Sequence, residues 1–527
     1  MAMDRERRRL LQASFALGLA ASTPAFATPR IEHSTARTRS GRCLGLRDGD
    51  LHVFRGIPYG ADTAAYRFQP PRREAPWRGA REALAFGNAA PQSGNGGPGS
   101  EDCLFLNVTT PGLRDGGRRP ILVYIHGGGY NNGSGSDPLY DGHRLCAAGD
   151  VVVVTVNHRL NAFGYLHLGE FDERFATSGN TGQLDLVAAL QWVRDHAAEF
   201  GGDAGNVTVF GQSGGGAKIA TLMAMPAARG LFHRAWTMSG QQVTAAGPRA
   251  AEQRARLYMD ALGVRDVDAL LRLPAPTLVD ALRTRDPSRV EDTSLYFGPV
   301  MDGDALPRHP FFPDAPPQSA AIPMVIGNTR DETRAFLGND PANFSLGWGE
   351  LPEKLRKQQY VDIDPHEVIA EYRRLYPHYT PSDVFFAATT AGRSWRGAVE
   401  ELEARAVQGG NTWAYQLDWY PDTDEGRRMR AFHTLDIPLV FDNIAQPGSR
   451  TGTTDAARSV AAAMRDALLA FARNGDPRTG TTASWSPYSL PRRETLVFGA
   501  TPAMQDDPRG GERRLYRRAP FVQRGTF

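Results

Sequence analysis

The chain has 527 residues, with 60 Lys+Arg against 58 Asp+Glu, 41% hydrophobic residues and three cysteines. A net charge of +2 gives no electrostatic footprint for nucleic acid, and 56 glycines with 37 prolines stay below the roughly 25–30% that marks low-complexity chains. Three cysteines admit at most one intramolecular disulfide, so the fold must rest on its apolar core, and the length alone admits three or four domains of ordinary size.

The first 27 residues read as a secretory signal peptide. Arg5, Arg7, Arg8 and Arg9 form a basic head, Leu10 to Ala21 is mostly apolar, and Ala25-Phe26-Ala27 suits a small-x-small cleavage site. The order Arg7-Arg8-Arg9-Leu10-Leu11 also resembles a twin-arginine leader, with an ordinary Sec signal as the alternative. Cleavage would remove four basic and two acidic residues, leaving 56 of each and an exported chain, periplasmic or secreted, of zero formal charge. No stretch reaches the 18 or so apolar residues a membrane span requires, so no membrane span is expected.

From Ile121 the chain alternates short apolar runs with helical periods. Ile121 to Ile125 and Val151 to Val156 are nearly continuous apolar runs, the pattern of strands covered on both faces of a parallel sheet. Between them His126-Gly127-Gly128-Gly129-Tyr130 offers backbone amides that can approach a ligand closely. Leu186, Leu190, Val193, Ala197 and Phe200 form one helical stripe ended by Gly201-Gly202, and Val207 to Phe210 is the next strand. Gly211-Gln212-Ser213-Gly214-Gly215 then stands where that strand must turn into a helix, Gly215 to Met225. In this context Ser213 projects from a sharp turn beside the orphan amides of a helix N-terminus, the setting of a serine nucleophile. Lys218-Ile219 does not supply the Lys-Ser/Thr pair of a phosphate-binding loop. Read together, the glycine loop and the amide of Gly214 form an oxyanion hole.

Ala235 to Met238 is a further strand, giving a doubly wound α/β series. Helical stretches around 249–282 and 352–405 interrupt it and are placed as insertions covering the active edge of the sheet. Further strands are expected at Pro323 to Ile326 and Trp413 to Leu417, and a helix through Val460, Met464, Leu468 and Phe471, stopped by Asn474-Gly475-Asp476-Pro477. Asp331 and Glu332 follow a strand end, where an acid can reach the active edge, and residue-level reasoning leaves the choice between them open. Among later histidines, His366 and His378 sit in polar, exposed settings, whereas His433 lies in an apolar segment suited to a buried base. Tyr130 and Trp395 are candidates for shaping a substrate pocket, with core packing the simpler fate for each.

These residues in this order resemble the type-B carboxylesterase family of the α/β-hydrolase fold. The resemblance also runs through Phe54-Arg55-Gly56-Ile57-Pro58-Tyr59, Ser100 to Val108, Gly179-Asn180, Leu184-Asp185, Phe200 to Asp203, Asp302-Gly303 and Gly475-Asp476-Pro477 with Trp485. It implies a single catalytic domain over 28–527 with a mostly parallel sheet flanked by helices. It also implies Ser213 as nucleophile, Glu332 as acid, His433 as base, Gly128, Gly129 and Gly214 as oxyanion donors, and Ser239 as a support for the acid. Family elbows usually carry Glu and Ala where this chain has Gln212 and Gly214. Gln212 removes a negative charge beside the nucleophile, so a cationic substrate is not expected. Cys103 faces Ala90 where the family has its partner cysteine, so that disulfide should be missing; Cys43 and Cys103 are then a bridge or, as expected, free buried thiols.

The expected activity is hydrolysis of neutral, small-molecule carboxylic esters without metal or cofactor. An amide or carbamate hydrolase with the same triad, and a catalytically silent binding relative, are the alternatives. Oligomeric state leaves no mark on the sequence.

Overall fold

The computed structural model describes residues 32–94, 99–287 and 293–523; the leader over 1–27 lies outside them, as does part of the loop Ser93–Ser100. The apolar runs form the middle of a large mixed sheet. Its strands are β1 (His33–Arg37), β2 (Arg42–Asp48), β3 (Leu51–Pro58), β4 (Ala80–Glu82), β5 (Phe105–Thr110), β6 (Arg119–Ile125), β7 (Val152–Val156), β8 (Gly202–Gln212), β9 (Arg234–Met238), β10 (Met324–Thr329), β11 (Thr412–Leu417), β12 (Glu494–Phe498) and β13 (Pro502–Asp506). Their order is β1-β2-β3-β5-β7-β6-β8-β9-β10-β11-β12-β13, with β4 beside β2. From β7 to β12 every neighbouring pair is parallel, and the flanking pairs from β1 to β7 and from β12 to β13 are antiparallel.

The antiparallel flank is not anticipated by the sequence reading. β1 alternates exposed and buried residues through the small, polar His33-Ser34-Thr35-Ala36-Arg37, which carries no apolar run. The central strands are legible because they are covered on both faces: every residue of β7, β10 and β11 is buried.

The chain enters β6, moves to β7 on one side, then crosses to β8 on the other. This reversal opens a crevice at the carboxyl ends of β6 and β8, where ligands bind in open α/β sheets. The glycine loop leaves β6 there and Ser213 leaves β8, with Ile125 in register with Gly211.

Helices Thr181–His196, Gly214–Leu222 and Asp455–Asn474 cover the sheet, the last capped by Thr454, whose side chain accepts from Ala457 N–H, and ended at Gly475 as expected. The first insertion comprises helices Pro248–Ala261, Val267–Leu271 and Ala275–Ala281, and the second runs from Leu351 to Gln408 as a helical series. From His33 onward the described residues form one compact unit. Cys43, Cys103 and Cys146 are all free and buried, and burial pushes the Cys43 thiol up to about 12. No described helix is long and apolar enough to cross a membrane.

Candidate active site

β8 ends at Gln212, and Ser213 takes φ 56° and ψ −128° before the helix begins at Gly214. A serine at positive φ is strained by of order 1 kcal/mol, and only its surroundings hold it there. Here they do so from two sides: Ser213 N–H donates to Met238 O at 2.8 Å, and Ala217 N–H donates to Ser213 O at 3.1 Å. A Cβ at Gly215 would collide with the Ile125 carbonyl, so the turn closes only with glycine at that position.

The loop after β6 packs directly on this elbow. Gly128 and Gly129 take φ of 85° and 62°, the left-handed region that glycine enters without strain. A Cβ at Gly214 would run into the Gly129 carbonyl, which explains why this chain has glycine where an alanine would be usual: the loop has closed onto the helix start. Gly128, Gly129 and Gly214 therefore meet at one place, next to Ser213.

The candidate acid and base come from two further loops, Glu332 after the end of β10 and His433 after the short helix Asp424–Met429. β10 ends at Thr329, and the turn Arg330–Thr333 places Glu332 in the interior with no exposure. Its Oε1 accepts from Thr329 N–H at 3.0 Å and from Asn328 Nδ2 at 3.4 Å, and its Oε2 accepts from His433 Nδ1. The backbone joins the two loops as well, through Asp331 N–H to Ala431 O at 2.9 Å and His433 N–H to Glu332 O at 3.4 Å. Asp331 faces away, toward Arg334 at 3.3 Å and Arg430 at 3.9 Å. The choice the sequence leaves open is thus made by geometry: Glu332 meets the imidazole and Asp331 meets guanidinium groups.

His433 is 5% exposed, and Phe336, 49% exposed, packs against it with ring centroids 4.7 Å apart and the rings tilted at 46°. His366 and His378 are exposed, as expected. Gln212 Nε2 lies against the imidazole, 3.1 Å from Nε2 and 3.4 Å from Nδ1. Among the hydrogen bonds of the described residues none joins Ser213 to His433, and the Gln212 amide nitrogen, at similar distances from both ring nitrogens, lies off the in-plane direction along which Nε2 accepts a proton. Ser239, expected to support the acid, reaches it through a shared donor: its Oγ accepts from the same Thr329 N–H, at 3.2 Å.

Replacing Gln212 by Glu would put a carboxylate against the imidazole and favour its charged form. The acid limb of the kcat/KM profile is expected to move toward higher pH by about one unit, read from initial rates between pH 5 and 9. A profile unchanged within 0.2 of a unit, taken as about the fitting error, would show that the side chain leaves the ring in the working enzyme.

Sequence reasoning missed four groups around the pair, the covering Phe336 and three that hold or adjoin the acid. Asn328 bridges the acid to the second insertion, donating also to Ser394 Oγ at 3.3 Å within the π-helical turn Ala391–Trp395. Thr333, next to Glu332, is held by the same insertion through Phe386 O at 2.9 Å and Thr390 Oγ1 at 3.0 Å. Asp436 is fully buried behind the pair and accepts from Tyr415 OH at 3.0 Å; burial first, and the neighbouring Glu332 second, push its carboxyl up to about 7. Only chain proximity hinted at Asn328 and Asp436, and nothing marked Phe336. Tyr130 is buried as core packing implies, and Trp395 is half-buried under the Arg509 guanidinium, 4.1 Å from its ring.

The model of the carboxylesterase family matches residues 32–514. The para-nitrobenzyl esterase of Bacillus subtilis (strain 168) is 33% identical over 502 residues, covering 92% of this chain and 98% of its own. The phenmedipham hydrolase of Pseudarthrobacter oxydans is 32% identical over 499 residues, covering 89% of this chain and 96% of its own. Among solved structures, a Geobacillus stearothermophilus carboxylesterase superposes with a TM-score of 0.81 at 37% identity, covering 92% of this chain and 99% of that one.

Proposed function

Because the chain belongs to the carboxylesterase family and hydrolyses carboxylic esters, we propose that it does so on neutral esters through Ser213, His433 and Glu332 and an acyl-enzyme intermediate. The observation that carries this reading is the buried Glu332–His433 hydrogen bond, made between residues 101 apart in sequence, beside the strained Ser213 turn. Glu332 on Nδ1 fixes the tautomer that leaves Nε2 free to accept a proton. Ser213 Oγ attacks the ester carbonyl as His433 Nε2 takes its proton. The negative charge formed on the carbonyl oxygen meets the amides of Gly128, Gly129 and Gly214. His433 returns the proton to the departing alcohol. Water, deprotonated by the same imidazole, then releases the acid and restores Ser213. Gln212 places a neutral amide beside the reacting centre, which supports neutral rather than cationic esters.

The basic head, apolar run and Ala25-Phe26-Ala27 of the leader support export to the periplasm or beyond. One experiment tests both parts of this proposal. Protein purified from the exported fraction and treated with an organophosphonate ester is mapped by mass spectrometry, and the adduct is expected on Ser213 of a chain beginning at Thr28. An adduct elsewhere would refute the nucleophile, an intact Met1 the cleavage, and absence of the protein from the exported fraction the export. Matched ester, carbamate and anilide substrates are expected to turn over in the order of their carbonyl reactivity, ester first. A faster anilide would make the protein an amidase.

A further inference from the structure

Lys218 sits five residues after Ser213, in helix Gly214–Leu222, at a position whose neighbours Ala217, Ile219 and Ala220 belong to the core. Its side chain is fully buried. Nζ donates to His126 O at 3.1 Å and stands 5.6 Å from the centroid of the Tyr130 ring. His126 and Tyr130 are the two residues that bracket Gly127–Gly129. One buried cation therefore holds both ends of the glycine loop, and it does so from the helix that starts at the nucleophile.

The surroundings keep this charge uncancelled. The His126 and His158 rings stack 4.8 Å apart at 12°, each with Nδ1 2.9 Å from a backbone carbonyl, of Gly127 and Arg159. Those carbonyls can only accept, so each ring carries a proton on Nδ1. Burial, and then the lysine charge, push both imidazoles down, His126 to about 3, while burial alone brings Lys218 to about 7. Of the three, the lysine takes a proton first. Nearby Arg159 and Asp185 neutralise each other in a buried pair with 2.7 Å between Nη2 and Oδ1. On the far side of Tyr130, its hydroxyl donates to Gln242 Oε1 at 2.9 Å, and Gln242 N–H donates to Glu401 Oε1 at 2.7 Å. Glu401 is fully buried and its carboxyl is pushed up to about 8, so it too carries no charge at neutral pH. An ammonium buried without a carboxylate is costly, and its field is poorly screened.

We propose that Lys218 is a positioning residue for ester hydrolysis: it clamps the His126 carbonyl and the Tyr130 ring so that the Gly128 and Gly129 amides face the reacting oxygen, and it adds positive potential beneath them. The proposal rests on the reading of Ser213 as nucleophile and of the glycine loop as oxyanion donor.

Lys218→Met fills a similar volume without the charge. Rates are normalised to active sites titrated with an organophosphonate, so unfolded protein does not count. At pH 6.5 kcat is expected to fall about tenfold to fiftyfold, less than the loss of a direct donor, with KM within about twofold. Affinity for a trifluoromethyl ketone, whose adduct carries the oxyanion, should fall by the same factor. The wild-type to variant ratio of kcat should shrink as pH rises from 6.5 to 9, because the wild-type lysine loses its proton over that range. The melting temperature should hold or rise, since a buried charge has been removed. Unchanged kcat, or a loss of kcat that leaves ketone affinity untouched and is constant with pH, would overturn the proposal. If the methionine variant fails to fold, Lys218→Gln carries the same comparison of kcat with ketone affinity. Failure of the organophosphonate to titrate the wild-type enzyme would instead sink the reading of Ser213.

Discussion

Ser213→Ala is expected to lower kcat on p-nitrophenyl butyrate by a factor on the order of 10⁶, with KM changed little. No other hydroxyl takes its place, because the elbow presents only residue 213 between the glycine loop and the helix start, and Gln212 and Gly214 on either side carry no nucleophile. The residual rate should still exceed that of water, since Gly128, Gly129 and Gly214 would remain to hold an oxyanion. Stability separates this chemical loss from misfolding. Alanine keeps the Cβ that makes φ 56° unfavourable, so the melting temperature should stay within about a degree. Ser213→Gly removes the Cβ and with it of order 1 kcal/mol of strain, so the same loss of activity should come with a higher melting temperature. Retention of more than about one per cent of wild-type kcat by the alanine variant, normalised to folded protein by circular dichroism and freed of wild-type contamination by organophosphonate pretreatment, would rule Ser213 out as nucleophile.

The resting arrangement around Ser213 bears on the step before chemistry. The Gln212 amide lies against the His433 ring and no hydrogen bond among the described residues joins Ser213 to it, and apo catalytic hydrogen bonds often tighten only when substrate arrives. A substrate carbonyl seated on the glycine loop would bring the serine and imidazole together. Phe336, half exposed over the ring, then shields the proton transfer from water on the solvent side.

What could be read from the sequence follows from how each feature is encoded. The strand before Ser213 and the strand before the glycine loop are continuous apolar runs because the sheet covers both their faces, and a strand-turn-helix junction with Gly211 and Gly215 admits few other readings. β1 to β4 carry no such signal: they lie at the open flank, where alternation through Ser34, Thr35 and Gly45 resembles a loop, and their pairing is a property of the whole sheet. Asp331 and Glu332 are adjacent carboxylates that differ only in which side of a turn they occupy. That side is set by partners about a hundred residues away, Arg430 for one and His433 for the other. Family resemblance supplied the choice of Glu332; the residues alone did not. In the sequence Lys218 does no more than disqualify a phosphate-binding loop. Its place beneath the oxyanion loop becomes visible once β6 and the helix after β8 are side by side, because a lysine within an apolar helical stripe is ordinarily drawn out to solvent.

Glu332→Gln should cost about 10³ to 10⁴ in kcat, less than loss of the nucleophile but far more than loss of an ordinary contact, for a reason contained in three hydrogen bonds. Oε1 of residue 332 accepts from Thr329 N–H at 3.0 Å and from Asn328 Nδ2 at 3.4 Å, two donors that a glutamine could satisfy only with its oxygen. The glutamine amide nitrogen is then forced to face His433 Nδ1. Because an amide NH₂ can only donate, Nδ1 must become an acceptor and the imidazole proton must move to Nε2. That is the tautomer in which the ring cannot take the proton of Ser213. The fold should survive, since the replacement keeps the shape of the side chain, the backbone bonds from Asp331 to Ala431 and from His433 to Glu332 remain, and the Thr329 and Asn328 donors stay satisfied. The expected result is therefore a large fall in kcat and in the rate of organophosphonate labelling, with KM and melting temperature nearly unchanged. Asp331→Asn provides the internal control. Its carboxylate serves Arg334 and Arg430 on the outer side of the same turn, so kcat should stay within about threefold while the melting temperature drops slightly. If the two variants lost activity equally, the turn as a whole and not the Glu332 carboxyl would be what the reaction requires, and the tautomer account would fall.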